Sequence, residues 1–275
     1  MKNIRMITFV SIVALFLMPF AEAKQKALPN HIKKILIVVA MEKEAKPIIA
    51  SLKLKKLPHS FSNLPMQGYV GNYAKLAILL IINGQDPVTK VENVGTQAAT
   101  LSAYLGINYL HPDLVINIGT AGGVEANGTK EKEFFISKTI YFYDRRIPFP
   151  KYEEYGLGDY SSPTLRFIWG QTLNKGSDPK LNLKPGIVCS GDSFDDDQTD
   201  YAMFLKLHCN AIDMEAAGVA WVSMLTKTPM IAIKGITNYV RGNNIHEQYQ
   251  KNLPYVTETL AEKLKELLDG INRKY

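Results

Sequence analysis

Ile35-Leu-Ile-Val-Val39 and Leu114-Val-Ile-Asn-Ile118 are almost uninterrupted apolar runs, so a strand made of either has no polar face to turn toward water. Such strands belong in a sheet covered on both sides, the usual situation of parallel strands joined through helices. Beta-rich runs of this kind recur at Lys33–Ala40, Met66–Gly71, Lys75–Ile82, Leu114–Gly119, Glu133–Tyr143, Gly186–Ser190, Ala211–Met214 and Met230–Thr237. Helical patterns fall at Glu42–Leu52, Val91–Leu105, Ser162–Leu173, Gln198–His208, Glu215–Leu225 and His246–Ile271. In the last, Leu253, Val256, Leu260, Leu264, Leu267 and Ile271 return every three or four residues and make one apolar stripe that should pack across the sheet. The alternation predicts an α/β fold: a single domain with a mixed, largely parallel central sheet flanked by helices. No linker, internal repeat or low-complexity tract divides the 275 residues.

The first residues read differently. Lys2 and Arg5 precede an apolar run from Met6 to Phe20 that closes on Ala21-Glu-Ala23, the layout of a secretory signal peptide cut after Ala23. Residues 1–23 are therefore expected to be removed, leaving a catalytic domain over 24–275 that is exported, periplasmic or secreted, and free of the membrane. Net charge is +6, or +5 once Lys2, Arg5 and Glu22 leave with the signal. The basic residues are dispersed and no aromatic ladder accompanies them, so a nucleic-acid partner is not expected. Cys189 and Cys209 leave two readings open, a disulfide in an oxidising compartment or two buried thiols. The five histidines show no ligand spacing, and no metal or organic cofactor is expected.

The chemistry gathers where strands end. In open α/β sheets, ligands collect in the crevice outside the carboxyl ends of the strands. Ala211-Ile-Asp-Met-Glu-Ala-Ala217 sets Glu215 at such a point, where an apolar strand gives way to a small-residue helix. Ala40-Met-Glu-Lys-Glu-Ala45 and Gly119-Thr-Ala-Gly-Gly123 follow two further strands, and the glycines would let backbone approach a ligand closely. Ser190-Gly-Asp-Ser-Phe194 ends another strand; Phe194 either stacks on a planar base or packs in the core. Asp195-Asp196-Asp197 reads as solvated acid before a helix rather than a cation site. No Gly-x-Ser-x-Gly elbow is present.

Taken in order, these loops together with Asn117-Ile-Gly-Thr-Ala-Gly-Gly123, Asp213-Met-Glu-Ala216 and Lys234-Gly-Ile-Thr-Asn238 resemble the nucleoside phosphorylase superfamily, and within it the 5′-methylthioadenosine/S-adenosylhomocysteine nucleosidases. Asp144-Arg-Arg-Ile-Pro-Phe-Pro150 and Tyr155-Gly-Leu-Gly158 look like the plant-type branch. The resemblance implies a nucleosidase that cleaves the purine N-glycosidic bond with water and releases adenine and a 5-thio-substituted ribose. It assigns Glu44 as general base, Thr120 and Lys234 to the water and its carboxylate, Glu215 to the ribose hydroxyls, Met41 and Met214 to the substrate, and Phe194 with Asp195 to the purine. Asn238 stands where the family has the aspartate that protonates the leaving base. An amide donates or accepts a hydrogen bond but delivers no proton, so a 6-oxopurine hydrolase or phosphorylase, or a catalytically weak exported binder, are the alternatives. Asp192 and Asp195 are candidate substitute acids, or else they only cap and solvate their loop. Asn117, where phosphorylases of the superfamily carry an arginine, disfavours phosphate as nucleophile. The family also implies a homodimer whose neighbour closes the pocket with Ile147–Pro150 or the Asn83–Thr89 loop.

Overall fold

The computed structural model describes residues 28, 31–58, 61, 63–163 and 181–274. Ten strands form one sheet: β1 (Lys34–Val39), β2 (Lys55–Lys56), β3 (Gln67–Tyr73), β4 (Leu76–Ile82), β5 (Leu114–Gly123), β6 (Phe134–Phe142), β7 (Tyr160–Ser161), β8 (Lys184–Ser190), β9 (Ala211–Asp213) and β10 (Met230–Tyr239). The helices are α1 (Glu42–Leu52), α2 (Thr96–Leu110), α3 (Tyr152–Leu157), α4 (Gln198–Lys206), α5 (Ala216–Leu225) and α6 (Ile245–Lys274). β1 lies parallel between β4 and β5, β5 runs parallel to β10, and β6, β8 and β9 are parallel neighbours. Antiparallel pairs occur at β10–β6, β5–β9, β6–β7 and along the β4–β3–β2 edge.

These pairings go beyond an open sheet. β5 pairs β1 with its first half and β9 with Gly122 and Gly123, while β10 runs along its other side. The series β5, β10, β6, β8, β9 therefore closes on itself, and β1, β4, β3 and β2 extend from the closed part as a wing. Between its β1 and β9 partners, residues 118–121 of β5 pair with β10 alone.

Both faces of the sheet are covered, as the apolar runs require. Along β1, Ile35, Ile37 and Val39 enter one core with Val256, Leu260, Leu264 and Leu267 of α6, while Leu36 and Val38 enter the other with Ala99 and Ala103 of α2 and Val219 of α5. The stripe expected on the final helix is thus the face that packs on the sheet. α2 begins later than its pattern suggested: Val91 and Val94 are exposed loop residues, and Gly95, at φ +113°, stops the helix from reaching back past Thr96. The short elements β2, β7 and α3 carry no periodicity long enough to announce them. The helix expected over 162–173 falls almost wholly outside the described residues.

Cys189 and Cys209 are bonded, with Cα atoms 5.9 Å apart, and join the end of β8 to the turn that precedes β9. Both are fully buried beside Val124, Tyr143, Phe204 and Ile212. Closing a loop of 20 residues of sequence separation removes denatured-state entropy worth about 3 kcal/mol. Among the described residues no helix is long and apolar enough to cross a membrane.

Candidate active site

The carboxyl ends of β1, β5, β8, β9 and β10 open on one cleft of about 200 Å³. Met41, Glu44, Thr120, Phe194, Met214, Glu215 and Asn238 all line it, together with Val94, Ile212, Val240 and Tyr249. Met41 and Asn238, far apart in the chain, share this wall because β1, β5 and β10 are neighbours, and Tyr249 of α6, 208 positions from Met41, completes it.

Glu44 occupies the first turn of α1, where negative charge is favoured by the helix N-terminus. Its carboxylate is buried yet well supplied with donors: the Thr120 N–H at 2.6 Å, the Thr120 hydroxyl at 2.8 Å and the Met41 N–H at 3.2 Å. Gly119 makes the approach possible, since a Cβ there would stand 2.9 Å from Glu44 Oε1. Burial raises the Glu44 pKa above the ordinary carboxylate value, against the opposing pull of Thr120 and of the Lys234 charge.

Glu215 stands immediately before α5 and accepts the Gly95 N–H at 3.1 Å. Burial pushes its pKa up to about 7; Lys234 opposes this, while the charges of Asp213 and Glu44 reinforce it. A proton is therefore retained in this group of acids at a pH where an exposed carboxylate has lost it.

Lys234 does not line the cleft. Its ammonium is buried beneath the wall, 2.6 Å from Asp213 Oδ2, in an ion pair that keeps it from reaching a ligand directly. Burial pulls the Lys234 pKa down, but the charges of Asp213, Glu215 and Glu44 outweigh it and the net shift is upward. Asp213 also accepts the Ser190 hydroxyl at 2.5 Å and the Ala216 N–H at 2.9 Å. Asp195 likewise stays outside the wall: it is exposed to solvent beside Phe194, because the chain turns outward there toward α4. Asp192 is engaged elsewhere, its carboxylate accepting from Thr96 and Gln97 at the start of α2.

Asn238 is buried in the wall at a bulge in the β10–β5 pairing. Its Oδ1 accepts the Thr237 hydroxyl at 2.8 Å and its Nδ2 donates to the Tyr239 carbonyl at 2.9 Å. Phe194 is 62% exposed, so it is not a core residue; its ring meets Tyr249 edge-on at 6.2 Å and forms an apolar rim. Tyr249 was not singled out by the sequence. Its hydroxyl lies 3.7 Å from the Met41 sulfur, and burial, then the charges of Glu44, Glu92 and Glu215, push its pKa up to about 12, so the phenol stays neutral. Asp213 was missed as a partner too, although an acid and a lysine in two apolar strands were the available signal for a buried pair.

A cleft at the carboxyl ends of a largely parallel sheet, with three buried acids and an aromatic rim, suits a neutral polyol joined to a flat ring. The chain matches the family model of the phosphorylase superfamily over residues 34–270 and belongs to that superfamily. It is 37% identical over 247 residues to a 5′-methylthioadenosine/S-adenosylhomocysteine nucleosidase of Arabidopsis thaliana, covering 88% of this chain and 93% of the relative. A 5′-methylthioadenosine nucleosidase of the same plant is 32% identical over 260 residues, with 92% of each chain covered. A crystal structure of an MTA/SAH nucleosidase superposes with a TM-score of 0.80 at 36% identity, covering 88% of this chain and 97% of the other. The chain is a member of the 5′-methylthioadenosine/S-adenosylhomocysteine nucleosidase family.

The raised Glu215 pKa has a measurable consequence for stability. The native state holds a proton that the unfolded chain releases between about pH 4.5 and 7, so this residue's contribution to stability falls as pH rises through that window. Glu215→Gln, which never has to bury the charge, should unfold much like the wild type near pH 4.5 and at a higher temperature than the wild type at pH 8. Thermal unfolding of both proteins at the two pH values checks this; a stabilisation by Gln that is larger at pH 4.5 than at pH 8 contradicts it.

Proposed function

We propose that the protein hydrolyses the N-glycosidic bond of 5′-methylthioadenosine and S-adenosylhomocysteine, releasing adenine and the 5-thio-substituted ribose. The observation that carries this reading is the presence of Glu44 and Glu215 in one cleft beside the Phe194 rim. In the reaction, Glu44 takes a proton from a water molecule as its oxygen bonds to C1′. The C1′–N9 bond breaks and its electron pair leaves with the purine, whose anion takes up a proton from solvent water to give neutral adenine. The sugar passes through an oxocarbenium-like state, which a nearby carboxylate stabilises. Glu215 accepts hydrogen bonds from the ribose hydroxyls, Met41 and Met214 pack along the substrate, and Phe194 stacks on the base. Thr120 holds Glu44 in place, and Lys234 acts through its charge from below.

Water is favoured over phosphate as the nucleophile. No arginine or lysine is among the described residues that line the cleft, and its three acids, Glu44, Asp213 and Glu215, outnumber the single Lys234 ammonium beneath them, which disfavours an anion. Asn117 is buried and donates to the Val38 carbonyl, so it offers no cationic replacement. On the base side Asn238 supplies an amide. It hydrogen-bonds N7 of adenine without delivering a proton, or pairs with N7–H of a 6-oxopurine; the first is preferred because the most similar relatives above carry methylthioadenosine in their names.

Two further expectations belong to this reading. Export of the chain after removal of residues 1–23 is supported by the signal-like sequence and by the bonded Cys189–Cys209 pair, since disulfides persist in oxidising compartments. A homodimer is supported by apolar side chains left exposed at Val88, Val91, Val94, Tyr104 and Tyr109; Val94 also lines the cleft, so a partner seated there would help to close it.

The purified protein should release adenine from methylthioadenosine at the same rate with and without phosphate, and Glu44→Gln should lower kcat by about 10²-fold or more. Accumulation of ribose 1-phosphate derivatives, or an unchanged rate in the variant, overturns the assignment. Asn238→Asp should raise kcat/KM for methylthioadenosine on the order of 10²-fold while leaving inosine cleavage slow; no gain would show that another group protonates the base. Gel filtration should give twice the mass of the mature chain, whose N-terminus after secretion should read Lys24; a one-chain mass, or an uncut chain retained in the cytosol, refutes the corresponding expectation.

A further inference from the structure

We infer that Asp192, which does not touch the cleft, is a positioning residue for the reaction proposed above: it fastens the Phe194 loop to the first turn of α2 and so fixes two walls of the cleft together.

α2 starts at Thr96 and its N-cap is Gly95, which has no side chain to offer the free N–H groups of the first turn. Asp192 supplies the missing acceptor from 96 residues further along the chain. It takes the Thr96 N–H at 2.6 Å and, through its other oxygen, the Thr96 hydroxyl at 2.8 Å and the Gln97 amide at 2.7 Å. A carboxylate bonded to N–H groups at a helix N-terminus combines charge-assisted hydrogen bonds with a favourable dipole. Gly95 is required at the junction for two reasons. Its φ of +113° is one that L side chains rarely adopt, and a Cβ there would lie 3.1 Å from Asp192 Oδ1.

That junction bears directly on the cleft. Val94 lines it, and the Gly95 N–H is the donor to Glu215. On the other side of the clamp, Ser193 and Phe194 line the cleft immediately after Asp192. The clamp has a firm base. The Asp192 N–H donates to Asp144 Oδ2 at 2.8 Å, the Tyr143 hydroxyl donates to the Ser193 carbonyl at 3.1 Å, and Gly191 lies against the Tyr143 ring. One carboxylate thus links the aromatic rim to the amide that orients the ribose-gripping acid.

The test uses the full mature protein and methylthioadenosine. Asp192→Ala should raise KM by about tenfold or more, while kcat changes by no more than about threefold. Asp192→Asn, which keeps one oxygen for the Thr96 N–H, should fall between the variant and the wild type, and it remains informative if the alanine variant does not fold. Thr96→Val should raise KM as well, and the double variant Thr96→Val/Asp192→Ala should be no worse than Asp192→Ala alone, because both changes break one link. A merely structural role would lower the unfolding temperature with KM unchanged, and that result overturns the inference, as do fully additive effects in the double variant. A wild-type protein that releases no adenine would sink the nucleosidase reading and this inference with it; an active wild type with an unaltered KM in Asp192→Ala would sink this inference alone.

Discussion

The cleft depends on the buried ammonium of Lys234. Three carboxylates, Asp213, Glu215 and Glu44, lie within its electrostatic reach, and all four groups are withdrawn from water. Three buried anions with no cation would be held only by protonation, because taking a carboxylate out of water costs several kcal/mol even after relaxation. Asp213 makes the direct pair at 2.6 Å and leaves the field of the ammonium to act on the other two. The pair is no source of stability by itself, since two apolar side chains of the same volume would serve the fold as well or better. What it provides is a cleft floor on which Glu44 and Glu215 can ionise a few residues from an aromatic rim.

Strand pairing brings these groups together. Lys234 is opposite Gly119 in the β10–β5 register, and Ser190 is opposite Asp213 in β8–β9. Because β5 changes partner from β1 to β9 along its length, the strand ends that carry Glu44, Thr120, Glu215 and Asn238 face a common space instead of spreading along an open sheet edge. Gly119 lets the Glu44 carboxylate approach β5, and the disulfide ties the end of β8 to the turn before β9. Covalent and backbone constraints therefore converge on the loops rather than on the helices.

Much of this was legible in the chain, for physical reasons that differ from residue to residue. The apolar runs of β1 and β5 announced a sheet covered on both faces, and the stripe from Leu253 to Ile271 announced the helix that covers one of them. Acids at strand ends announced a polar cleft, and the motifs placed Glu44 and Glu215 in it. Closure of the sheet was not legible, because pairing between segments about 90 to 115 residues apart leaves no local pattern. Tyr249 was hidden for another reason: it falls four residues before Leu253 on the same helical stripe, so periodicity reads it as core. The start of α2 was misplaced because its cap comes from Asp192 and not from a neighbouring residue. The pairing of Lys234 with Asp213 was not legible either, since opposite charges in separate strands do not reveal which of several acids they meet.

The placement of the acids also bears on how the cleft treats a neutral ligand. Glu215 is pushed up to about 7, chiefly by burial. Hydroxyl groups that donate to a carboxylate favour its charged form. In the reaction proposed above, a ribose whose hydroxyls donate to Glu215 would therefore lower the cost of ionising it. Glu44 already has three such donors from Thr120 and Met41, so its charge depends less on the ligand. The two acids consequently differ in their surroundings: Thr120 and Met41 supply three donors to Glu44, while Glu215 accepts from the Gly95 N–H. This asymmetry explains why the fold invests a helix start, Gly95 and a remote aspartate in presenting a single amide to Glu215, for a carboxylate that waits for its partners must be aimed before they arrive.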